Sequence, residues 1–291
     1  MPANDRPVPV VLSIAGSDSG GGAGIQADLK AFAAAGVHGA TAITALTAQS
    51  TVGVSAIEAV SPAMVEAQVD VVAGDLGVDA VKIGMLGDVT TIQAVARALD
   101  RLPAGTHVVH DPVMVAESGA RLLPEDAMAA LIEHVIPRAT VITPNLAEAR
   151  ALVAKDAAGS DDLDGEALVR ALHALGPAVV VVTGGHRDEV TDLVFDGARL
   201  DELPGERHAD GAAHGSGCTH SSTLAAHLAL GASPLEAARA ARKASGAAVR
   251  DGLRGLGAGA GPVDVLGLTP AAEVRGKTWR PSPPSGARAL P

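Results

Sequence analysis

The chain has 291 residues, 47% hydrophobic and 19% charged, and carries a formal net charge of −11. A surface this acidic repels phosphate backbones and anionic lipid, which argues against nucleic-acid and membrane partners but leaves room for a local phosphate site. Aromatics amount to 1%, namely Phe32, Phe195 and Trp279, so the core must come from Ala, Val, Leu and Ile, and a base-stacking platform is not expected.

Cys218 is the single cysteine, which leaves no internal disulfide framework and no multi-cysteine zinc site. No run of about 18 uninterrupted apolar residues suggests a membrane span. Met1 to Pro9 is polar and proline-bearing, without the basic-then-apolar order of a signal peptide, so a cytoplasmic globular protein is expected.

In chain order, Val8–Ala15 is a short apolar run bounded by Pro and Gly and reads as a buried strand. The glycine-rich segment Gly16–Gly24 follows, then a helical pattern over Ile25–Ala35. Ala40–Thr47 and Gly53–Val60 read as strands, and Ser61-Pro62 opens a helix toward Asp75 as an N-cap with proline at the first turn. Short β-rich runs then recur at Ala80–Ile83, His107–Asp111, Val141–Thr143 and Ala178–Thr183. Helical patterns lie between and after them, at Thr90–Leu102, Pro124–Ile136, Ala147–Val153 and Glu166–Leu175. Such alternation, with apolar strands, predicts an α/β fold whose mostly parallel sheet is covered on both faces. Asp196-Gly197 between Glu189–Phe195 and Arg199–Leu203 signals a hairpin, and two helices follow at Cys218–Leu230 and Pro234–Asp251. One domain over residues 1–268 is expected. The Pro-, Gly- and Arg-rich stretch 269–291 is expected to be a disordered tail.

Ligands of an open α/β sheet sit at the carboxyl ends of its strands. The polar clusters Gly16–Gly24, Lys82–Met85, Asp111–Met114, Thr143–Glu148 and Gly184–His186 all fall there. His214-Gly215-Ser216-Gly217-Cys218-Thr219 carries the most information, because glycines entering a helix of small residues can aim N–H groups at a phosphate. A Walker loop would follow its glycines with Lys-Ser/Thr, and Gly217 is followed by Cys218 instead. Gly22-Ala23-Gly24-Ile25-Gln26-Ala27 formally fits a dinucleotide pattern, but a loop separates it from the strand end, which disfavours a Rossmann dehydrogenase. Asn145 and Glu148 share one face of a helix start. They suit either Mg²⁺ held through water or simple helix capping.

Gly16-Ser17-Asp18-Ser19-Gly20-Gly21-Gly22-Ala23-Gly24-Ile25-Gln26-Ala27-Asp28-Leu29-Lys30 resembles the N-terminal signature of hydroxymethylpyrimidine/phosphomethylpyrimidine kinases of thiamine biosynthesis. Ile43–Gln49, Lys82–Leu86, Asp111–Met114, Thr143–Glu148 and the Gly215–Thr219 loop resemble that family too, in its order from about residue 10 to 264. The resemblance implies a ribokinase-like three-layer sandwich, usually homodimeric, that uses ATP and Mg²⁺ to phosphorylate 4-amino-5-hydroxymethyl-2-methylpyrimidine twice. By matching position, Asp28, Gln49, Met85 and Val113 would line the pyrimidine pocket, with backbone contacts from Gly16 and Ala23. Gly215, Ser216 and Gly217 would form the anion hole. Cys218 would stand where a catalytic base belongs, its thiol pKa open to lowering by the helix N-terminus. Lys82, Thr183 and Gly185 would face the nucleotide, and Asp111, Asn145 and Glu148 the metal's hydrated shell.

Three departures from the family pattern stand out. Thr183 takes a place where lysine is frequent, Ala212-Ala213 and Ser216 alter the anion-loop approach, and Ser50 follows Gln49 where asparagine is common. A vitamin B6 kinase is the nearest rival reading, and a pyrimidine-binding sensor without catalysis is a second.

Overall fold

The computed structural model describes residues 6–115, 122–154, 165–184, 190–208 and 211–268. The first half runs β1 (Val10–Asp18), α1 (Gly24–Ala35), β2 (His38–Ser50), β3 (Gly53–Ala59), α2 (Pro62–Asp75), β4 (Ala80–Ile83), α3 (Val89–Leu99) and β5 (His107–His110). The second half runs α4 (Glu125–His134), β6 (Val141–Ile142), α5 (Leu146–Val153), α6 (Gly165–His173), β7 (Val179–Val182), β8 (Thr191–Phe195), β9 (Leu200–Pro204), α7 (Ser216–Ala229) and α8 (Pro234–Arg250).

The described strands form one sheet in the order β3-β2-β1-β4-β5-β6-β7-β8-β9. Pairing is parallel from β2 through β7, while β3, β8 and β9 join antiparallel at the two edges. Alternation along β1 shows how the layers divide. Val11 packs with Phe32 of α1, Leu224 of α7 and Ala237 of α8 on one face. Leu12 and Ile14 pack with Val65, Ile92, Leu131, Leu152 and Leu168 from α2 to α6 on the other. Both faces are covered, which is why β4 and β7 read as unbroken apolar runs save for Lys82. The expected three-layer sandwich is the observed one.

Boundaries differ where tertiary pairing intervenes. β1 runs on to Asp18 rather than ending at Ala15, because a bulge lets Ser17 and Asp18 pair with Leu46 and Thr47 of the equally lengthened β2. α4 stops at His134 and is followed by a single tight turn over Ile136–Arg138 around Pro137, whose ring cannot continue the helix. The hairpin forms as expected, with Asp196 Oδ1 accepting from the N–H groups of Ala198 and Arg199 and Gly197 at φ +91°. Glu189, Gly185 and residues 269–291 lie outside the described residues.

Candidate active site

The carboxyl ends of β1, β4, β5, β6 and β7 open onto a cavity of about 450 Å³. Its walls include two glycine-rich segments from opposite ends of the chain, contributing Asp18, Ala23 and Gly24 from the end of β1 to the start of α1 and residues 214–217 at the entry to α7. Sheet order gives the cavity two ends. Gly16, Ala23, Gln49, Met85 and Val113 lie toward β1, β2, β4 and β5, whereas Thr183, Val190 and Ser245 lie toward β7, β8 and α8.

The first loop is already supplied with an anion. The N–H groups of Gly20, Gly22 and Ala23 all donate to the Asp18 carboxylate, at 2.8, 3.0 and 2.8 Å. His214 Nε2 adds a fourth bond at 3.1 Å to Asp18 Oδ2. Burial alone would raise Asp18, but the bonds from His214, Ala23 and Gly20 outweigh it and hold the carboxyl below its ordinary range. A pyrophosphate would have to displace this internal carboxylate, so the dinucleotide reading of Gly22–Ala27 fails on geometry.

The second loop is open. Gly215 adopts φ +83°, turning the chain into α7. Ser216 N–H donates to Ala213 O and Thr219 N–H to Gly215 O, so the N–H groups of Gly217 and Cys218 find no acceptor in the first helical turn. These two donors, without an acceptor among the described residues, stand at the positive end of a 14-residue helix, a geometry that suits an anion. Cys218 is half-buried in the cavity wall. Its expected activation by the helix end does not hold: burial pushes the thiol up to about 12, and the Asp28 and Asp111 carboxylates add to the rise against the pull of Lys82 and the Gly24 N–H.

Asp28 is placed differently from its expected role in the pocket wall. It is fully buried beneath the site, where Ser13 Oγ donates at 2.6 Å, Ser222 Oγ at 2.7 Å and Lys82 Nζ at 2.9 Å. α1 turns this residue inward toward the sheet face that also receives α7, so its carboxylate neutralises Lys82 and does not line the cavity. Lys82 itself is fully buried yet borders the cavity. Burial would depress its pKa, but Asp28, with Asp111 assisting, raises it, so the ammonium stays charged.

Asn145 and Glu148 form a complete capping box at the start of α5. Asn145 Oδ1 accepts from Glu148 N–H at 3.0 Å, and Glu148 Oε2 accepts from Asn145 N–H at 2.9 Å. Glu148 also borders the cavity beside Asp111, whose Oδ2 accepts from Ser221 Oγ at 2.9 Å. Burial and then repulsion from Asp111 push Glu148 up to about 8, and burial raises Asp111 against the pull of Lys82. Two crowded carboxylates that resist ionisation fit a hard divalent cation, whose charge would relieve both. Among the described residues no group of three or more His, Cys, Asp or Glu could hold a metal.

The Glu148 shift has a measurable consequence without any ligand. Its folded pKa of about 8 lies above the ordinary value, so between roughly pH 4.3 and 8 the folded form holds a proton the unfolded form has lost. Stability therefore falls as pH rises through that window. Glu148→Gln keeps the cap and is expected to flatten this slope in chemical denaturation curves; an unchanged slope would show that Glu148 does not titrate high.

The structure gathers Gly16, Ala23, Gln49, Met85, Lys82, Asp111, Val113, Asn145, Glu148, Thr183, Gly215, Ser216, Gly217 and Cys218 around one cavity. A cluster that spacing did not single out lies in the same wall. Asp192 on β8 accepts from Gly184 N–H at 2.9 Å, with His220 Nε2 at 3.4 Å and Arg242 at 3.6 Å. A lone acid inside the buried strand Thr191–Phe195 was the available signal.

A sheet of this order, with a glycine-turned helix N-terminus bordering a cavity at the carboxyl ends of its parallel strands, is that of a ribokinase-like phosphotransferase. The family model for phosphomethylpyrimidine kinase matches residues 18–264. The chain belongs to that family. A hydroxymethylpyrimidine/phosphomethylpyrimidine kinase of Rhizobium meliloti strain 1021 is 51% identical over 257 residues, covering 87% of this chain and 96% of the relative. The phosphomethylpyrimidine kinase structure from Clostridium difficile 630 is 37% identical at a TM-score of 0.70, covering 81% of this chain and 96% of that one. A pyridoxal kinase of Staphylococcus aureus, solved with AMP-PCP and pyridoxal, is 32% identical at a TM-score of 0.78 and covers 89% of this chain and 94% of that one.

Proposed function

We propose that this chain transfers the γ-phosphoryl group of ATP to the hydroxymethyl group of 4-amino-5-hydroxymethyl-2-methylpyrimidine, and then phosphorylates the monophosphate to the diphosphate, as steps of thiamine biosynthesis. The observation that carries the reading is the pair of unspent N–H groups, Gly217 and Cys218, at the α7 N-terminus between the two ends of the cavity. The family names of the relatives support the substrate, and the AMP-PCP complex of the S. aureus neighbour supports the nucleotide.

In this reading Gln49 offers hydrogen bonds to the pyrimidine edge, while Met85 and Val113 cover the ring and Gly16 and Ala23 bring backbone close. The substrate hydroxyl oxygen attacks the γ-phosphorus, the bond to the β–γ bridging oxygen breaks, and ADP leaves. The transition state is loose, so the hydroxyl proton departs late, passing to an oxygen of the transferred phosphoryl group and from there to solvent, and needs no strong base. Cys218, protonated at neutral pH, then orients the acceptor oxygen rather than removing its proton. Gly217 and Cys218 N–H groups stabilise the charge on the transferring group, and the buried Lys82 ammonium adds positive potential beneath it. Asp111 and Glu148 would hold a hydrated Mg²⁺, which supplies charge neutralisation to the nucleotide phosphates; Asn145 would contribute by fixing Glu148 through the cap. Thr183, at the end of β7, would meet the nucleotide with a hydroxyl where a lysine is frequent, and Gly185 would follow it. The exposed edge strand β3, with Ile57, supports a homodimer, which the mass in sedimentation equilibrium tests.

The test is ATP-dependent phosphorylation of the hydroxymethylpyrimidine with Mg²⁺, with mono- and diphosphate products resolved and pyridoxal as competitor. Diphosphate formation is the expected result. Pyridoxal phosphate as the only product would move the assignment to vitamin B6, the reading that the S. aureus neighbour favours. Saturable pyrimidine binding with no ADP released would make the chain a sensor.

A further inference from the structure

We infer that His214 is a positioning residue: its hydrogen bond to Asp18 locks the acceptor-side glycine loop to the anion-binding loop and so sets where the substrate hydroxyl stands relative to the transferring phosphoryl group. The inference rests on the phosphotransfer reading above. It starts from a contact between residues 196 apart in sequence, His214 Nε2 and Asp18 Oδ2 at 3.1 Å, with both side chains buried.

Each partner is anchored by its own loop and is fixed before the two meet. Asp18 gathers the N–H groups of Gly20, Gly22 and Ala23, so its carboxylate is the hub on which the first loop is wound. The His214 backbone is sewn to the segment before residue 264, donating to Gly261 O at 3.3 Å and accepting from Val263 N–H at 3.1 Å. The imidazole is therefore a strut between a hub and a seam.

Two glycines show how closely the loops have approached. A Cβ on Gly22 would collide with the His214 ring, and a Cβ on Gly215 would collide with the Gly22 carbonyl oxygen. Only residues without side chains allow this interlock. Ala23 on one side and Gly217 and Cys218 on the other border the same cavity, so the bond joins the two loops that wall it. Each half-site keeps its own walls when the strut is cut, because the bonds from Gly20, Gly22 and Ala23 to Asp18 and the α7 first turn remain, although the first loop is then held by one bond fewer. What is lost is their alignment, and misplacement on the order of 1 Å costs about 100-fold in rate.

The experiment compares His214→Ala with His214→Gln, whose amide N–H can still donate to Asp18. Expected is a fall of roughly 30- to 100-fold in kcat for His214→Ala, with equilibrium binding of the pyrimidine and of ADP within about threefold of wild type, and recovery of most of the rate in His214→Gln. Hydrogen exchange on the unliganded full chain supplies a readout independent of turnover: His214→Ala should speed exchange in peptides covering residues 18–24, far from the substitution in sequence. An unchanged kcat, unchanged exchange at 18–24, or equal losses of rate, binding and unfolding midpoint in both variants would overturn the inference. Should the wild type prove inactive on the pyrimidine, the functional reading fails alone, and the exchange result still decides whether the strut couples the loops.

Discussion

Replacing Asp28 with alanine is expected to destabilise the protein by about 3–5 kcal/mol, because it strands a buried charge. Three donors converge on this carboxylate, from Ser13, Ser222 and Lys82, and none of them has access to solvent. Removing it leaves two hydroxyls unpaired and the Lys82 ammonium without its counter-ion in a fully desolvated place. For a domain of this size the loss corresponds to a fall of roughly 10 °C in Tm. The origin of the effect is separable from simple loss of packing. Pairing Asp28→Ala with Lys82→Met removes the orphaned charge along with its partner, so the double variant should be more stable than Asp28→Ala alone. It should also be inactive, since the positive potential under the anion loop is gone. Thermal and denaturant unfolding of the three variants test this; additive losses in the double variant would show that the pair is not coupled.

The second large effect is on turnover. Gly215→Ala should lower kcat by about 10²–10³, the usual consequence of losing an oxyanion donor. Gly215 sits at φ +83°, which costs an L-residue about 1–2 kcal/mol, and its added methyl would meet the Gly22 carbonyl oxygen. Backbone cannot swing aside as a side-chain tip can, so the two loops must part and the Gly217 and Cys218 N–H groups lose their aim. The change lies at a helix entry and outside both core clusters, so unfolding should remain cooperative with only a modest shift in midpoint. Pyrimidine binding, which the proposed function assigns to the far wall at Gln49 and Met85, should persist. Steady-state kinetics beside equilibrium binding decide the matter; a kcat within a few-fold of wild type would mean that the loop geometry is not what catalysis uses.

Much of this was legible from residue order. Gly217-Cys218 before a run of small residues pointed to an anion-binding helix start, and that is where two N–H groups stand unspent. The apolar runs at Ala80–Ile83 and Ala178–Thr183 pointed to strands covered on both faces, and both layers of helices are present. Asn145 and Glu148 allowed two readings, cap or metal; the capping box is observed, and Glu148 reaches the cavity from within it. Asp28 was read as a ligand contact from its matching position in the family signature Gly16–Lys30. Its neighbour in that signature, Asp18, is the one that borders the cavity.

The sequence by itself determined the local choices: which segments are strands or helices, where glycine permits a left-handed turn, and where helix starts offer free N–H groups. Those depend on side-chain periodicity and backbone sterics within a few residues. Tertiary structure alone decided which carboxylates are buried and with whom, that Asp28 faces Lys82 across 54 positions, that His214 meets Asp18, and that the Cys218 thiol is raised rather than lowered. Desolvation and charge pairing are set by what packs against a group from elsewhere in the chain, and spacing along the sequence carries no measure of that distance.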